Sequence, residues 1–244
     1  MRNIKLTIQY DGTRYAGWQF QKNARSIQEV IQNAIKKITG KKANLIGSGR
    51  TDAGVHAEAQ IANFKTRSKI PLKNLQMALN SALPDDIVVS KIEEAALRFN
   101  AQHDARSKLY RYTIVNNDFI NPLLRNTAAK CFYKIDIDMM RRVAKLLVGR
   151  HDFTSFRTVD GEKKNAVRTI KYIKIEKFKD VISIYIEANG FLYNMVRTIV
   201  GTLIEAGRGK FSMDRVKEIL KKKDRCFSGP TMPAKGLCLV KVRY

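Results

Sequence analysis

The stretch "SIQEVIQNAIKKITG", residues 26–40, decides the fold class because it predicts an amphipathic helix close behind a strand. The segment before it, "NIKLTIQY" at residues 3–10, alternates polar and apolar residues and predicts that strand. Ser26 and Glu29 form an S-x-x-E capping box at the start of the helix. Apolar side chains recur at helical spacing and share one face: Ile27, Val30, Ile31, Ala34, Ile35 and Ile38.

Two successive units of nearly the same element order follow from this start. The first half continues with two strands, a helix and a strand: "KANLIG", "QIANFKT", "LKNLQMALNSAL" and "DIVVSKIEE". The second half gives a strand, a helix, two strands, two helices and a strand: "KLYRYTIV", "DMMRRVAKLLVG", "TIKYIKIEKF", "VISIYIEA", "FLYNMVRTIVGTLIEAG", "SMDRVKEILKKK" and "LCLVKVRY". We therefore predict an α+β fold of two ferredoxin-like (RRM-like) βαββαβ-type halves, residues 1–100 and 101–244. The segment that joins them is not rich in Gly or Pro, so we expect packed halves with a cleft between their sheets.

The composition is strongly basic, with 46 Lys and Arg against 22 Asp and Glu and a net charge of +24. Such an excess indicates a polyanionic partner, with nucleic acid first, because each phosphate contact releases counterions. A Lys-rich codon bias is the alternative for single runs such as Lys221, Lys222 and Lys223. No amphipathic Trp/Leu-rich segment supports a membrane-surface protein.

The start of the chain lacks the apolar run of a secretory signal, and no window resembles a spanning helix, so we expect a cytoplasmic protein. Cys131, Cys226 and Cys238 are odd in number and form no C-x-x-C pair. This argues against a disulfide framework and a thiolate zinc site. We expect all three to be small buried side chains.

The loop around "GSGRTDAGVHA" contains the most conspicuous acid in this basic chain, Asp52. Gly47, Gly49 and Gly54 allow positive φ or close approach of the backbone to a ligand. Two simpler interpretations stay open: Asp52 forms an Asx turn, or it pairs with Arg50 on the surface. The glycines do not match a phosphate-binding P-loop.

Aromatic residues alternate with cations in "DGTRYAGWQFQ" and "RSKLYRY". Aromatic rings stack on splayed bases while cations follow phosphates, so this pattern is typical of single-stranded or looped RNA binding. For Tyr112 the stronger interpretation is a core residue of its strand. Arg197 lies at the margin of an apolar helix and needs either a carboxylate partner or an extended path to solvent.

The pairs His103–Asp104 and His151–Asp152 raise a second possibility, a metal-dependent phosphohydrolase. The pairs come from separate elements and offer no i,i+4 histidines on a helix, which weakens a metal site. A pure RNA-binding module, in which Asp52 has no chemical role, is the third class.

Six segments together resemble the tRNA pseudouridine synthase A family over nearly the whole chain. They are "YDGTRYAGWQFQ", "GSGRTDAGVHA", "ARSKLYRY", "HDFTSFR", "FLYNMVRTIVGTLIEAGRG" and "MPAKGLCLVKVRY". The resemblance implies a pseudouridine-synthase fold and an enzyme that converts uridine to pseudouridine at nucleotides 38–40 of the tRNA anticodon stem-loop. It also implies a homodimer that works without cofactor or metal.

The same resemblance implies roles for five residues. Asp52 is the catalytic aspartate, Tyr110 stacks on the target base, Arg197 is the basic partner of Asp52, Arg50 assists base flipping, and Leu237 is the apolar residue on the other side of the base. An ionised carboxylate can attack C1′ or take a proton from C2′, and the sequence leaves both routes open. The loop "RTVDGEKKNAV" receives no role.

Overall fold

A computed structural model describes residues 1–158 and 165–244; the central part of the loop "RTVDGEKKNAV" lies outside the described residues. The fold is mixed α+β, and the chain forms two compact units. Unit 1 comprises Met1–Arg106 with Cys238–Tyr244, and unit 2 comprises Ser107–Leu237. The predicted halves, 1–100 and 101–244, stay a prediction about the organisation of the chain.

The regular elements of the described residues alternate in the order that the sequence indicates, with short strands added. The strands are β1 (Arg2–Tyr10), β2 (Ile46–Gly47), β3 (His56–Thr66), β4 (Ile87–Ala95), β5 (Ser107–Val115), β6 (Ala129–Lys130), β7 (Gly149–Asp152), β8 (Val167–Phe178), β9 (Val181–Ala188) and β10 (Leu237–Arg243). The helices are α1 (Ile27–Thr39), α2 (Leu72–Ala82), α3 (Ile137–Leu147), α4 (Met195–Gly207) and α5 (Met213–Lys222).

In unit 1, β1 is the central strand and pairs antiparallel with both β3 and β4. β2 adds to β3 antiparallel, whereas β10 pairs parallel with β3 through Cys238 opposite His56. The alternation in β1 puts Ile4, Leu6 and Ile8 into the core with no exposed surface. Burying each such side chain contributes about 1.5–3 kcal/mol, which fixes the register of β1 against β3, the strand that follows the Asp52 loop.

In unit 2, the strands follow the order β5, β9, β8 and β7 with antiparallel neighbours, and β6 pairs parallel with β5. The isoleucines of β9 at 182, 184 and 186 are fully buried. The apolar face of α4 is buried as its pattern predicts, at Met195, Val196, Ile199, Val200, Leu203 and Ile204. The sheet and α4 therefore hold the segments that carry Tyr110 and Arg197.

Helix ends test the sequence predictions most sharply. The Ser26 hydroxyl accepts a hydrogen bond from the Glu29 amide at 3.3 Å, as the capping box predicts, and Gly40, with φ +72°, caps the C-terminus of α1. The predicted start of α4 at Phe191 is wrong, because Asn194 adopts φ +61° and the helix begins one residue later. Only Ile46–Gly47 of the predicted strand "KANLIG" pairs with a neighbour.

Two further expectations concern single residues and membrane association. Cys131 is buried as expected, but Cys226 is exposed and Cys238 is intermediate, so the prediction of three buried cysteines is wrong. Across residues 1–158 and 165–244, no helix combines the length and the hydropathy needed to cross a membrane.

Candidate active site

Asp52 lies in a tight loop of unit 1 between β2 and β3 and is partly exposed. The loop closes through the backbone, because the Asp52 carbonyl accepts the Val55 amide at 3.2 Å. Gly54 supplies the left-handed conformation of this turn with φ +77°. The glycine that the sequence singled out at this position therefore does serve backbone geometry.

Thr51, the residue before Asp52, is anchored at both its side chain and its carbonyl. The Tyr10 hydroxyl lies 2.8 Å from Thr51 Oγ1 in the buried interior, and the Trp18 amide donates to the Thr51 carbonyl at 3.0 Å. Burial raises the pKa of Tyr10 above its usual value, so the phenol stays protonated as a hydrogen-bonding group. These contacts fix the backbone from which the Asp52 carboxylate projects.

Two glycines that precede α1 allow this loop to pack closely. Gly17 has φ +94°, and a Cβ placed on it would lie 2.5 Å from the Thr51 carbonyl oxygen. Gly12 lies still closer to the Val55 carbonyl, because a Cβ placed on it would lie 2.0 Å from the Val55 oxygen, and its amide donates to Nδ1 of buried His56 at 3.1 Å. The supporting role of these four residues is not evident from the sequence: Tyr10, Gly12, Gly17 and His56. The turn signal "YDG" was its only local trace.

Arg50 is exposed, two residues before Asp52. Within the described residues it makes no ion pair with any carboxylate, so the alternative of an Arg50–Asp52 surface pair is wrong. An uncommitted guanidinium beside the loop is available to an anionic ligand.

Tyr110 lies on β5 of unit 2, opposite Ile186 of β9. Its ring is 7% exposed and meets Phe191 edge-on, with ring centroids 5.1 Å apart. Tyr112, two residues further along, is fully buried and donates its hydroxyl to the Pro233 carbonyl at 2.7 Å. The core interpretation of Tyr112 is confirmed.

Arg197 sits in the first turn of α4, and its guanidinium is held by two neighbouring segments. Nε donates to the Met232 carbonyl at 2.6 Å, and Nη1 donates to the Asn194 side chain at 2.7 Å. Because these hydrogen bonds orient the side chain, the interpretation that Arg197 only extends to solvent is wrong. Leu237 is 5% exposed and follows the short turn Ala234–Gly236 in the same unit.

The five candidate residues are thus divided between the units. Asp52 and Arg50 belong to unit 1, and Tyr110, Arg197 and Leu237 belong to unit 2.

The His–Asp pairs have local structural uses. The Asp104 carboxylate accepts the Asn100 amide at 2.9 Å. The Asp152 carboxylate accepts the Thr154 amide at 3.0 Å and lies 3.1 Å from Lys223 Nζ. In the part of the chain that the structure describes, no three His, Cys, Asp or Glu side chains gather as metal ligands would. The pairs thus offer no observation in favour of the phosphohydrolase.

Comparison with known proteins gives one consistent result. A family model described as tRNA pseudouridine synthase matches residues 6–104 and 143–244. Three proteins named tRNA pseudouridine synthase A align over 244 residues and 100% of both sequences. The protein from Thermoanaerobacter sp. (strain X514) is 51% identical, that from Caldicellulosiruptor bescii 49%, and that from Acetivibrio thermocellus 47%.

Among solved structures, one chain of a Cbf5-Nop10-Gar1 complex aligns with 97% of this chain and 58% of its own length. The sequence identity is 12% and the TM-score 0.42, a likeness too distant to inform the fold or the chemistry.

Proposed function

The chain belongs to the tRNA pseudouridine synthase family, and we propose that Asp52 is the residue that carries out its reaction. The enzyme is an isomerase that acts on uridine in tRNA. Formation of pseudouridine breaks the C1′–N1 bond, turns the detached base and joins it again through C5. The base must leave its stack and be held while it is free, which requires a fixed and accessible catalytic group.

The observation that carries the assignment is the contrast between Asp52 and its neighbour. Thr51 is buried and held by Tyr10 and Trp18, whereas the Asp52 side chain next to it is partly exposed. Preorganised groups of this kind lose little entropy when substrate binds. A carboxylate here can attack C1′ or remove the C2′ proton, and both routes use the same ionised group.

The other four residues take the roles that the resemblance implies. Arg197 partners Asp52, Arg50 assists flipping, and Tyr110 and Leu237 flank the detached base. We infer that the Tyr110 hydroxyl also takes the C5 proton after the base is rejoined, since a Phe would stack equally well. Tyr110 is only 7% exposed, so stacking requires substrate to open its surroundings.

The fold proposal is more specific than mixed α+β. We propose two ferredoxin-like halves, packed as one pseudouridine-synthase fold with the catalytic cleft between them. The pairing of unit 1 supports this for the first half, because β4, β1, β3 and β2 are neighbours in the order of a split βαβ unit.

The proposed substrate is the anticodon stem-loop of tRNA at nucleotides 38–40, bound in the cytoplasm by a homodimer without metal or cofactor. The net charge of +24 supports an extended contact with RNA phosphates. Light scattering tests the dimer: we expect about twice the mass of one chain, and a monomer that is fully active at high dilution would contradict it.

Asp52→Asn tests the catalytic assignment with a nearly isosteric change that removes the charge. We expect pseudouridine formation in tRNA to fall by orders of magnitude while tRNA affinity changes little. Asp85→Asn is the matched control, because Asp85 is an exposed aspartate of the same unit.

Nucleoside analysis of the RNA separates the function classes. Pseudouridine marks the synthase, unchanged RNA a binding module, and shortened or dephosphorylated RNA a hydrolase. Substantial turnover by Asp52→Asn would show that Asp52 is not the catalytic residue.

A further inference from the structure

Three cations gather at one end of the unit 2 sheet, in a group that we call the basic cluster: Lys108 on β5, Arg168 on β8, and Arg157. Arg157 follows the short turn Thr154–Phe156. All three side chains are partly exposed, so the cluster is accessible from solvent.

The register of the sheet puts the two strand residues on the same face. Lys108 lies opposite Ala188 of β9, and Ala188 lies opposite Ile170 of β8. Arg168 precedes Ile170 by two residues and therefore points to the face of Lys108. Arg168 is held in place because its Nη1 donates to the carbonyls of Asn165 at 2.8 Å and Val167 at 2.7 Å.

Within the basic cluster, the positive charges of Lys108 and Arg168 repel each other. Burial lowers the pKa of Lys108, and the charge of Arg168 lowers it further. Burial and the charge of Arg157 lower the pKa of Arg168 in the same way. Within residues 1–158 and 165–244, neither Lys108 nor Arg168 has a carboxylate at ion-pair distance.

The nearby Lys171 shows the usual arrangement for a cation in this sheet. Its Nζ lies 3.2 Å from the Glu187 carboxylate and donates to Ser107 Oγ at 3.0 Å. Lys108 and Arg168, by contrast, face each other's charge. Like charges that are partly buried side by side destabilise the folded chain unless an anion binds between them.

The position of the cluster indicates which anion this is. Lys108 precedes Tyr110 by two residues on β5, so the two side chains leave the same face about 7 Å apart. That separation is close to the spacing of a nucleobase and the phosphate of its own or the next nucleotide. An arginine fork with a lysine point charge is the donor set that binds phosphate in proteins.

We propose that Lys108 and Arg168, with Arg157 beside them, bind a backbone phosphate of the substrate RNA next to the target uridine. The inference rests on the proposed function, because it takes Tyr110 as the residue that contacts the target base. The phosphate neutralises the repulsion between Lys108 and Arg168 and holds the RNA strand while the base is detached.

Lys108→Met tests the cluster, with Lys221→Met as the control for loss of one exposed charge in the same unit. Lys108→Met should lower the affinity for an anticodon stem-loop RNA about 10-fold, the effect of losing one charge-assisted hydrogen bond. It should also reduce the slope of log affinity against log salt by about 0.7. Its melting temperature without RNA should equal or exceed that of the wild type, because a repulsion is removed.

A scan of the RNA backbone locates the phosphate. One neutral methylphosphonate is placed at each linkage around the target uridine in turn, and binding is measured. In the wild type, a neutral linkage at one position adjacent to that uridine should lower the affinity about 10-fold. In Lys108→Met the same neutral linkage should lower the affinity only slightly. Arg168→Met should give the same loss of sensitivity at the same linkage.

Two results would overturn the proposal. In the first, each neutral linkage lowers the RNA affinity of the wild type and of Lys108→Met by the same factor. In the second, Lys108→Met binds RNA with the same affinity as Lys221→Met. Wild-type turnover reports separately on the proposed function. If the wild type has full turnover but Lys108→Met is as sensitive to each neutral linkage as the wild type, only the phosphate-binding proposal is refuted. If the wild type has no turnover but Lys108→Met loses its sensitivity to the one linkage, only the proposed function is refuted.

Discussion

Gly17→Ala alters no proposed reacting group, yet it should disable the enzyme. The added methyl carbon would lie 2.5 Å from the Thr51 carbonyl oxygen, 3.1 Å from the Asp52 carbonyl carbon and 3.2 Å from the Ala53 amide nitrogen. A carbon and a carbonyl oxygen approach to about 3.3 Å at closest, so Thr51 must retreat by roughly 0.8 Å. The hydrogen bond from the Trp18 amide to the Thr51 carbonyl would stretch with it.

The expected size of the effect follows from that displacement. A misplacement of about 1 Å at a catalytic group can cost 10²-fold in rate, so kcat should fall roughly 100-fold. The positive φ of +94° adds a stability cost, about 1–2 kcal/mol for a residue with a Cβ. For a chain of this size each kcal/mol lowers the melting temperature by about 2–4 °C. The rate is measured as release of tritium from C5-labelled uridine in tRNA, at a temperature where the variant is folded.

Gly40→Ala is the matched control. Gly40 also has a positive φ, +72°, but a Cβ placed there meets no atom within 4 Å. The control should therefore lose stability by a similar backbone strain and keep its kcat. A Gly17→Ala enzyme that is folded and turns over at the wild-type rate would refute the argument that the position of the Thr51–Asp52 backbone sets activity.

The remaining predictions concern the second unit and the RNA. Tyr110→Phe should bind tRNA normally and lose turnover, since it keeps the ring and lacks the hydroxyl; normal turnover in nucleoside analysis would leave Tyr110 a stacking role only. Excess EDTA should leave the rate of pseudouridine formation unchanged, and a loss that added metal restores would contradict the metal-free reaction. Affinity for the stem-loop should fall steeply with salt, with a log–log slope of about −0.7 for each neutralised phosphate on single strands. If the affinity does not depend on salt, the net charge of +24 reflects codon bias and does not serve RNA binding.

The elements predicted well from sequence are those whose signals are local. The helical spacing and the capping box of α1 depend on residues within 13 positions of each other, and both features appear as predicted. The parallel pairing of β10 with β3 joins Cys238 to His56, and no pattern within either strand indicates it. Non-local pairing of this kind is decided by how whole elements pack, which periodicity does not report.

The candidate site shows the same division. The sequence signals for Asp52 and Tyr110 lie within short segments, whereas the residues that hold the Asp52 loop are distant in sequence. Gly17 and Tyr10 reach the Asp52 loop across more than 30 residues, and neither contains chemistry that would mark it as functional. Sequence patterns identify reactive side chains more readily than the backbone contacts that position them.

The wrong start of α4 and the placement of Arg197 have one cause. Asn194 adopts φ +61°, a conformation that interrupts a helix and that Asn tolerates better than most residues. In this position its side-chain oxygen accepts Arg197 Nη1 at 2.7 Å, while its own amide nitrogen donates to Thr158 Oγ1 at 2.9 Å. A helix that began at Phe191 would put Asn194 inside its first turns and remove this arrangement. The helix pattern is therefore interrupted at the residue that orients Arg197, the proposed partner of Asp52, and backbone strain is commonly retained where it positions a side chain.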